Sequence, residues 1–165
     1  MKNKLTIILA IIFTFPSWSL SLAQEQKSAP VKYIQEIGDA KSIAELKMAF
    51  NNLCDSVNKG EIEKAVGFYD KDAVLFSAFS SKIYNTPEAR KEYFQMAVKK
   101  KFNIKTTDAY IKFFGKFATY NGFSVVTYQD DSGKQISSPL RYSVVYYRMP
   151  HGWVIANQHT SRIPQ

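Results

Sequence analysis

The chain changes period once, after Lys101, and that change limits the folds open to it. Four stretches rich in Tyr, Phe, Val, Ile and Thr follow: Phe102 to Phe114, Ala118 to Gln129, Lys134 to Tyr147 and Trp153 to Ser161. Each has the composition of a strand. Turn chemistry marks Tyr120-Asn121-Gly122 (a turn or a bulge), Asp130-Asp131-Ser132-Gly133 and Met149-Pro150-His151-Gly152. The last two connections are short, so the strands they join are expected to be antiparallel neighbours.

Before Lys101 the spacing is helical. Ser42-Ile43-Ala44-Glu45 fits a capping box, and Ile43, Leu46, Phe50, Leu53 and Val57 then form one apolar stripe. Gly60 stops that helix as a glycine C-cap does. A shorter helix is predicted from Glu61 to about Tyr69, a short strand over Ala73 to Phe76, and an irregular polar stretch from Ser77 to Asn85. Thr86-Pro87-Glu88 supplies an N-cap, a first-turn proline and an acid for a third helix running to about Lys100. Helices grouped ahead of an antiparallel sheet predict an α+β fold with the helices on one sheet face. A curved sheet wrapped over a long helix makes a cone with a cavity inside.

The amino-terminal end has a different purpose. Met1-Lys2-Asn3-Lys4 is basic, Leu5 to Phe15 is apolar apart from two threonines, and Ser21-Leu22-Ala23 places small residues before Gln24. That order predicts a cleavable signal peptide over 1–23, and so export to the periplasm or the exterior. The apolar run is shorter than the ~20 residues that span a bilayer, so contact with a membrane is expected only before cleavage. Residues 24–40 read as a linker and 41–165 as one domain.

Composition excludes several chemistries. Two of the 22 basic residues and none of the 14 acidic ones precede Gln24, leaving a charge of about +6 spread among acids. Only Lys99-Lys100-Lys101 form a run, at a predicted helix end where cations complement the macrodipole. A nucleic-acid partner is not expected, because it would call for a broader basic stripe. The single cysteine, Cys54, permits no intrachain disulfide and reads as a buried thiol. The two histidines, His151 and His159, have no acid or cysteine at ligand spacing, so no metal is expected. There is no phosphate loop, nucleotide fingerprint or serine elbow, and no cofactor is expected.

The ending Gly152-Trp153-Val154-Ile155-Ala156-Asn157-Gln158-His159-Thr160-Ser161-Arg162-Ile163-Pro164 resembles the closing strand of nuclear transport factor 2-like cone proteins. More narrowly it resembles the SgcJ/EcaC group, akin to SnoaL-like proteins, and its relative, the association domain of calcium/calmodulin-dependent protein kinase II. Ala73 to Phe76, Ser80 to Tyr84 and Thr86-Pro87-Glu88 are similar to the short strand, loop and capped helix of the same group. The resemblance covers about Ser42 to Pro164. It implies the cone fold, self-association through the sheet and a pocket. It implies little about chemistry, since the superfamily holds enzymes, transport factors and assembly modules alike.

Candidate site residues follow from the register of the last hairpin. With Tyr147 opposite Trp153, Val145 faces Ile155, Ser143 faces Asn157 and Arg141 faces His159, on one sheet face that turns from apolar to polar. On that reading Arg141, His159, Asn157, Ser143 and Tyr147 line a pocket mouth. Arg141 takes an anionic or carbonyl group, and His159 donates a hydrogen bond or moves a proton. The competing reading puts Leu140, Tyr142, Val144 and Tyr146 in the core and leaves the first face to solvent or to a second subunit. The expected function is an exported homodimer that binds a small hydrophobic ligand carrying an anionic or carbonyl group. The alternatives are a proton-transfer enzyme using His159, which needs an acid beside it, and a pure assembly module.

Overall fold

A computed structural model describes residues 35–164. The signal peptide and most of the linker expected from the sequence lie outside the described residues. The elements run β1 (Gln35–Ile37), α1 (Ala40–Lys59), α2 (Ile62–Val66), β2 (Tyr69–Phe76), β3 (Ile83–Tyr84), α3 (Pro87–Lys99), β4 (Asn103–Phe114), β5 (Phe117–Gln129), β6 (Gln135–Met149) and β7 (Gly152–Arg162). The strands form one sheet in the order β1-β4-β5-β6-β7-β2-β3. The four long strands are antiparallel neighbours, as their turns require, while β1–β4 and β2–β7 pair in parallel. The α+β fold read from the sequence is therefore the fold of this chain.

Local chemistry explains the helix ends. The cap of α1 is Asp39, whose Oδ1 accepts from the Ser42 backbone N–H at 2.9 Å. The capping box expected at Ser42 does not form, because the helix begins three residues earlier and Glu45 turns instead to Arg148. Three residues assigned to the linker, Gln35–Ile37, pair with β4 as a strand. Gly60 ends α1 in the left-handed region at φ 74°, as predicted. Thr86 caps α3 by accepting from Ala89 N–H at 3.1 Å, also as predicted. The second helix is shorter than expected, since Tyr69 already belongs to β2.

Asn121-Gly122 is neither turn nor loop. It lies within β5, and the chain reverses at Gly115-Lys116 instead. Gly122 is needed for packing: a Cβ there would run into the Asp108 carbonyl oxygen and the Tyr142 hydroxyl. The register of β4 shifts between Thr106 and Asp108, and Tyr142 donates to that Asp108 carbonyl at 3.1 Å.

The core lies between α1, α3 and one sheet face. Leu46, Phe50, Leu53 and Val57 of α1 are buried against Tyr120, Tyr142, Val144 and Tyr146. Phe50 sits 4.5 Å from the Tyr120 ring and 4.8 Å from the Tyr142 ring, within the range of favourable aromatic pairs. Asn58 ties the same helix to β4: its amide donates to Ile104 O at 3.1 Å, and its oxygen accepts from Ile104 N–H at 2.6 Å.

Candidate functional site: an internal cavity and an aromatic outer face

The last hairpin decides which side chains meet. Its turn is two residues long, so Met149 pairs with Gly152, Arg148 with Trp153 and Tyr147 with Val154. Tyr147 is not opposite Trp153, and Trp153 faces the helices. A register shift between Tyr146–Ile155 and Val145–Asn157 then leaves Ala156 as an extra residue. Beyond it Ser143 pairs with His159 and Arg141 with Ser161, two positions from the expected pairing of Arg141 with His159. A slip of one reverses faces and a slip of two restores them. The two-residue turn therefore moves Trp153 and Ile155 to the face of Tyr146, and the shift at Ala156 returns Asn157 and His159 to the face of Ser143 and Arg141.

All five candidate residues thus lie on the outer sheet face, away from α1 and α3, and none of them lines the internal cavity. Arg141 Nε donates to Ser161 Oγ at 2.9 Å, and Ser143 Oγ donates to Asn121 Oδ1 at 2.6 Å. Tyr147 donates its hydroxyl to the Asp70 carboxylate, which holds that carboxyl below the usual aspartate range. His159 stands edge-on to the Phe76 ring with centroids 6.2 Å apart, and among the described residues no carboxylate is hydrogen-bonded to it. Asn157 is half-buried beside it.

The outer face is more apolar than the hairpin alone indicated. Phe114 and Phe117 pair across one turn, and Tyr110, Phe123 and Phe76 share their face, each more than a third exposed. The signal was present in the odd positions of Phe117 to Val125, but only the neighbouring strands show that these rings share one sheet face, with His159, Ser143, Asn121 and Arg141 among them.

The inner face grades as a pocket should, from Trp153 and Ile155 through Gln158 and Thr160 to Arg162. Between it and the helices lies a cavity of about 50 Å³. Its apolar walls are Phe50, Leu53, Val57, Phe94, Phe102 and Leu140, with others of the same kind. Its polar atoms come from Ser124, Gln158, Thr160, Tyr69, Tyr93 and Tyr142. Among the described residues no Asp, Glu, Lys, Arg or His lines it. Burial pushes the Tyr93 phenol up to about 12, raises those of Tyr69 and Tyr142 as well, and pushes the Cys54 thiol up to about 12. These groups are neutral at physiological pH, and Cys54 is the inert buried thiol expected from the sequence. Sequence reasoning missed Ser124, Gln158 and Thr160, because it put the other face of the last hairpin at the pocket.

Residues 42–164 match the family profile of the calcium/calmodulin dependent protein kinase II association domain. This chain belongs to that family. A solved Xanthomonas campestris protein proposed to be such a domain shares 25% identity and a TM-score of 0.69, over 81% of this chain and 96% of its own. A proposed dehydratase of the NTF2-like family from Streptomyces avermitilis superposes with a TM-score of 0.69 at 12% identity, covering 77% of this chain and all of its own. A ketosteroid isomerase-like protein from Erwinia carotovora gives 0.65 at 14% identity, with 77% and 100% covered. Those last two likenesses concern the cone fold that the association domain shares with them. No curated protein matches.

Proposed function

We propose that this association domain is exported, is freed of Met1 to about Ala23, and works as a homodimer or larger assembly that holds a small hydrophobic molecule in each subunit. The observation that carries the reading is the outer sheet face. Phe76, Tyr110, Phe114, Phe117 and Phe123 form an exposed aromatic surface on the side opposite the helices. Large exposed aromatic side chains gathered on one sheet face point to a contact, and a second copy of the same face is the occupant that closed two-fold symmetry supplies. The family's description as an association domain supports the same occupant. Assembly through this face leaves the cavity accessible, because the cavity lies on the other side of the sheet.

The hydrophobic ligand follows from the cavity and not from Arg141 and His159, which stand on the assembly face. Sedimentation of the processed protein at micromolar concentration tests the assembly. A dimer or larger species is the expected result, and a strict monomer overturns it. Amino-terminal sequencing of protein from its native host tests export. A start at or near Gln24 is expected, and an intact chain in the membrane fraction overturns it.

A further inference from the structure

The cavity is nearly closed, and one side chain closes it. Phe79 lies in the loop between β2 and β3, half-buried, with its ring 4.8 Å from that of Phe102 and 5.2 Å from that of Tyr128. It lines the cavity on one side and, on the other, an open groove of about 490 Å³ that also touches Lys100 and Arg162. No strand ladder fixes this loop. It is held by hydroxyls: Ala78 N–H donates to Thr160 Oγ1 at 3.1 Å, Phe79 N–H to Ser77 Oγ at 3.1 Å, and Lys82 N–H to Ser80 Oγ at 3.0 Å. Such contacts are exchanged for water at small net cost.

Two polar groups in the cavity have nothing to bind. Ser124 is more than nine-tenths buried, its side chain points into the cavity, and among the described residues its hydroxyl makes no hydrogen bond. Gln158 is half-buried; its amide oxygen accepts from the Tyr69 hydroxyl at 2.5 Å, and among the described residues its amide N–H₂ donates to no acceptor. Buried donors of this kind are ordinarily paired. Both are neutral, so they suit an accepting oxygen on an uncharged molecule. A carboxylate in the same place would be desolvated with no cation to meet it. Of the two cations at the groove, Lys100 is already paired with Asp131 at 2.7 Å, and Arg162 is exposed and does not line the cavity.

We propose that the cavity is the inner half of a site for an uncharged, single-ring molecule bearing one hydrogen-bond-accepting oxygen, and that Phe79 is the side chain the ring displaces. The oxygen takes the Ser124 hydroxyl, and the ring lies against Phe50, Leu53 and Phe94. Size requires the displacement. A ring the size of benzene needs a void of roughly 150 Å³, and the closed cavity offers about 50 Å³, a shortfall of about one aromatic ring. Phe79, turned into the outer groove, vacates that space.

This rests on the pocket half of the proposed function, and three shape-matched probes test it. Calorimetric titration with acetophenone, benzoate and toluene compares the wild-type protein with Phe79→Ala, Phe79→Leu and Ser124→Ala. Acetophenone is expected to bind Phe79→Ala about tenfold tighter than wild type, with Phe79→Leu between them if the alanine variant partly collapses. Benzoate at pH 7 is expected to bind at least about tenfold more weakly than acetophenone. Ser124→Ala is expected to weaken acetophenone about three- to tenfold and to leave toluene unchanged. The proposal is overturned if neither Phe79 variant binds acetophenone better than wild type, if benzoate binds as well as acetophenone, or if Ser124→Ala weakens toluene equally. Binding of no probe by any folded form removes the pocket reading as well, while self-association stands or falls by sedimentation.

Discussion

Arg90 donates to the main-chain carbonyl of Ala73 at a point where neither residue is reached by solvent. The same guanidinium donates to the Asp70 carbonyl at 2.6 Å and the Lys71 carbonyl at 3.1 Å, and it lies over the Tyr69 ring at 5.5 Å. Among the described residues no carboxylate pairs with it. A buried cation is thus held by backbone oxygens along the stretch of β2 where its pairing with β7 shifts, between Tyr69 and Val74. Those carbonyls have lost their ladder partners, and α3 supplies Arg90 to replace them.

Replacing Arg90 with Met should leave these three carbonyls without donors. Each unsatisfied buried group costs about 1–3 kcal/mol, so a loss of about 3 kcal/mol or more in urea unfolding is expected. Arg90→Lys should recover only part of it, since one ammonium cannot match the planar fork. A loss under 1 kcal/mol for Arg90→Met would show that water replaces the guanidinium freely.

A charge placed on the outer face should separate the subunits without unfolding them. The variant Phe117→Glu, or Phe123→Lys, is expected to sediment as a monomer at concentrations where the wild type is assembled. Its far-ultraviolet circular dichroism should not change, because both rings are on the side of the sheet away from the core. Retained assembly in both variants would place the contact elsewhere.

Asp70 should give the protein an acid-dependent stability. Its carboxyl is lowered chiefly by the Tyr147 hydroxyl and then by the Asp72 backbone N–H. A depressed folded-state value contributes stability that is complete above the ordinary aspartate range near ~3.9. It is lost as pH falls through the lowered value. The unfolding midpoint of wild type should therefore drop more steeply below pH 4 than that of Asp70→Asn, and parallel curves would contradict the link.

Cys54 should be unreactive in the native state. The thiol is buried and raised to about 12, first by desolvation and then by the nearby Asp55 charge. Reaction with a disulfide reagent at pH 8 is expected only at the rate of unfolding, accelerating in denaturant. Rapid labelling without denaturant would mean that the cavity, which Cys54 lines, opens readily to solutes of that size.

By itself the sequence determined the three helices, β2, the four long strands, their order and the α+β class, while β1 reads as linker and β3 as part of an irregular stretch. Periodicity, the Thr86-Pro87 start, the Gly60 stop and the last two strand turns are local signals, and local backbone preference settles them. It also showed that Leu140 to Tyr147 has two apolar faces, and the ending from Gly152 to Pro164 pointed to the right family. Only the tertiary structure decided which face met the helices. Packing of α1 on Leu140, Tyr142, Val144 and Tyr146 made that choice, and a two-residue turn with one extra residue at Ala156 set which residues of β7 joined them, neither of which changes the apolar and polar pattern enough to be read along the chain. Side chains alternate every residue in a strand, so each single-residue slip exchanges the inside for the outside. Asn157 and His159 lie with Arg141 on the outer face, while Gln158 and Thr160 line the same cavity as Ser124. A wall that joins Ser124 on β5 to Gln158 on β7 depends on the pairing of three strands at once, and no local pattern encodes such a sum.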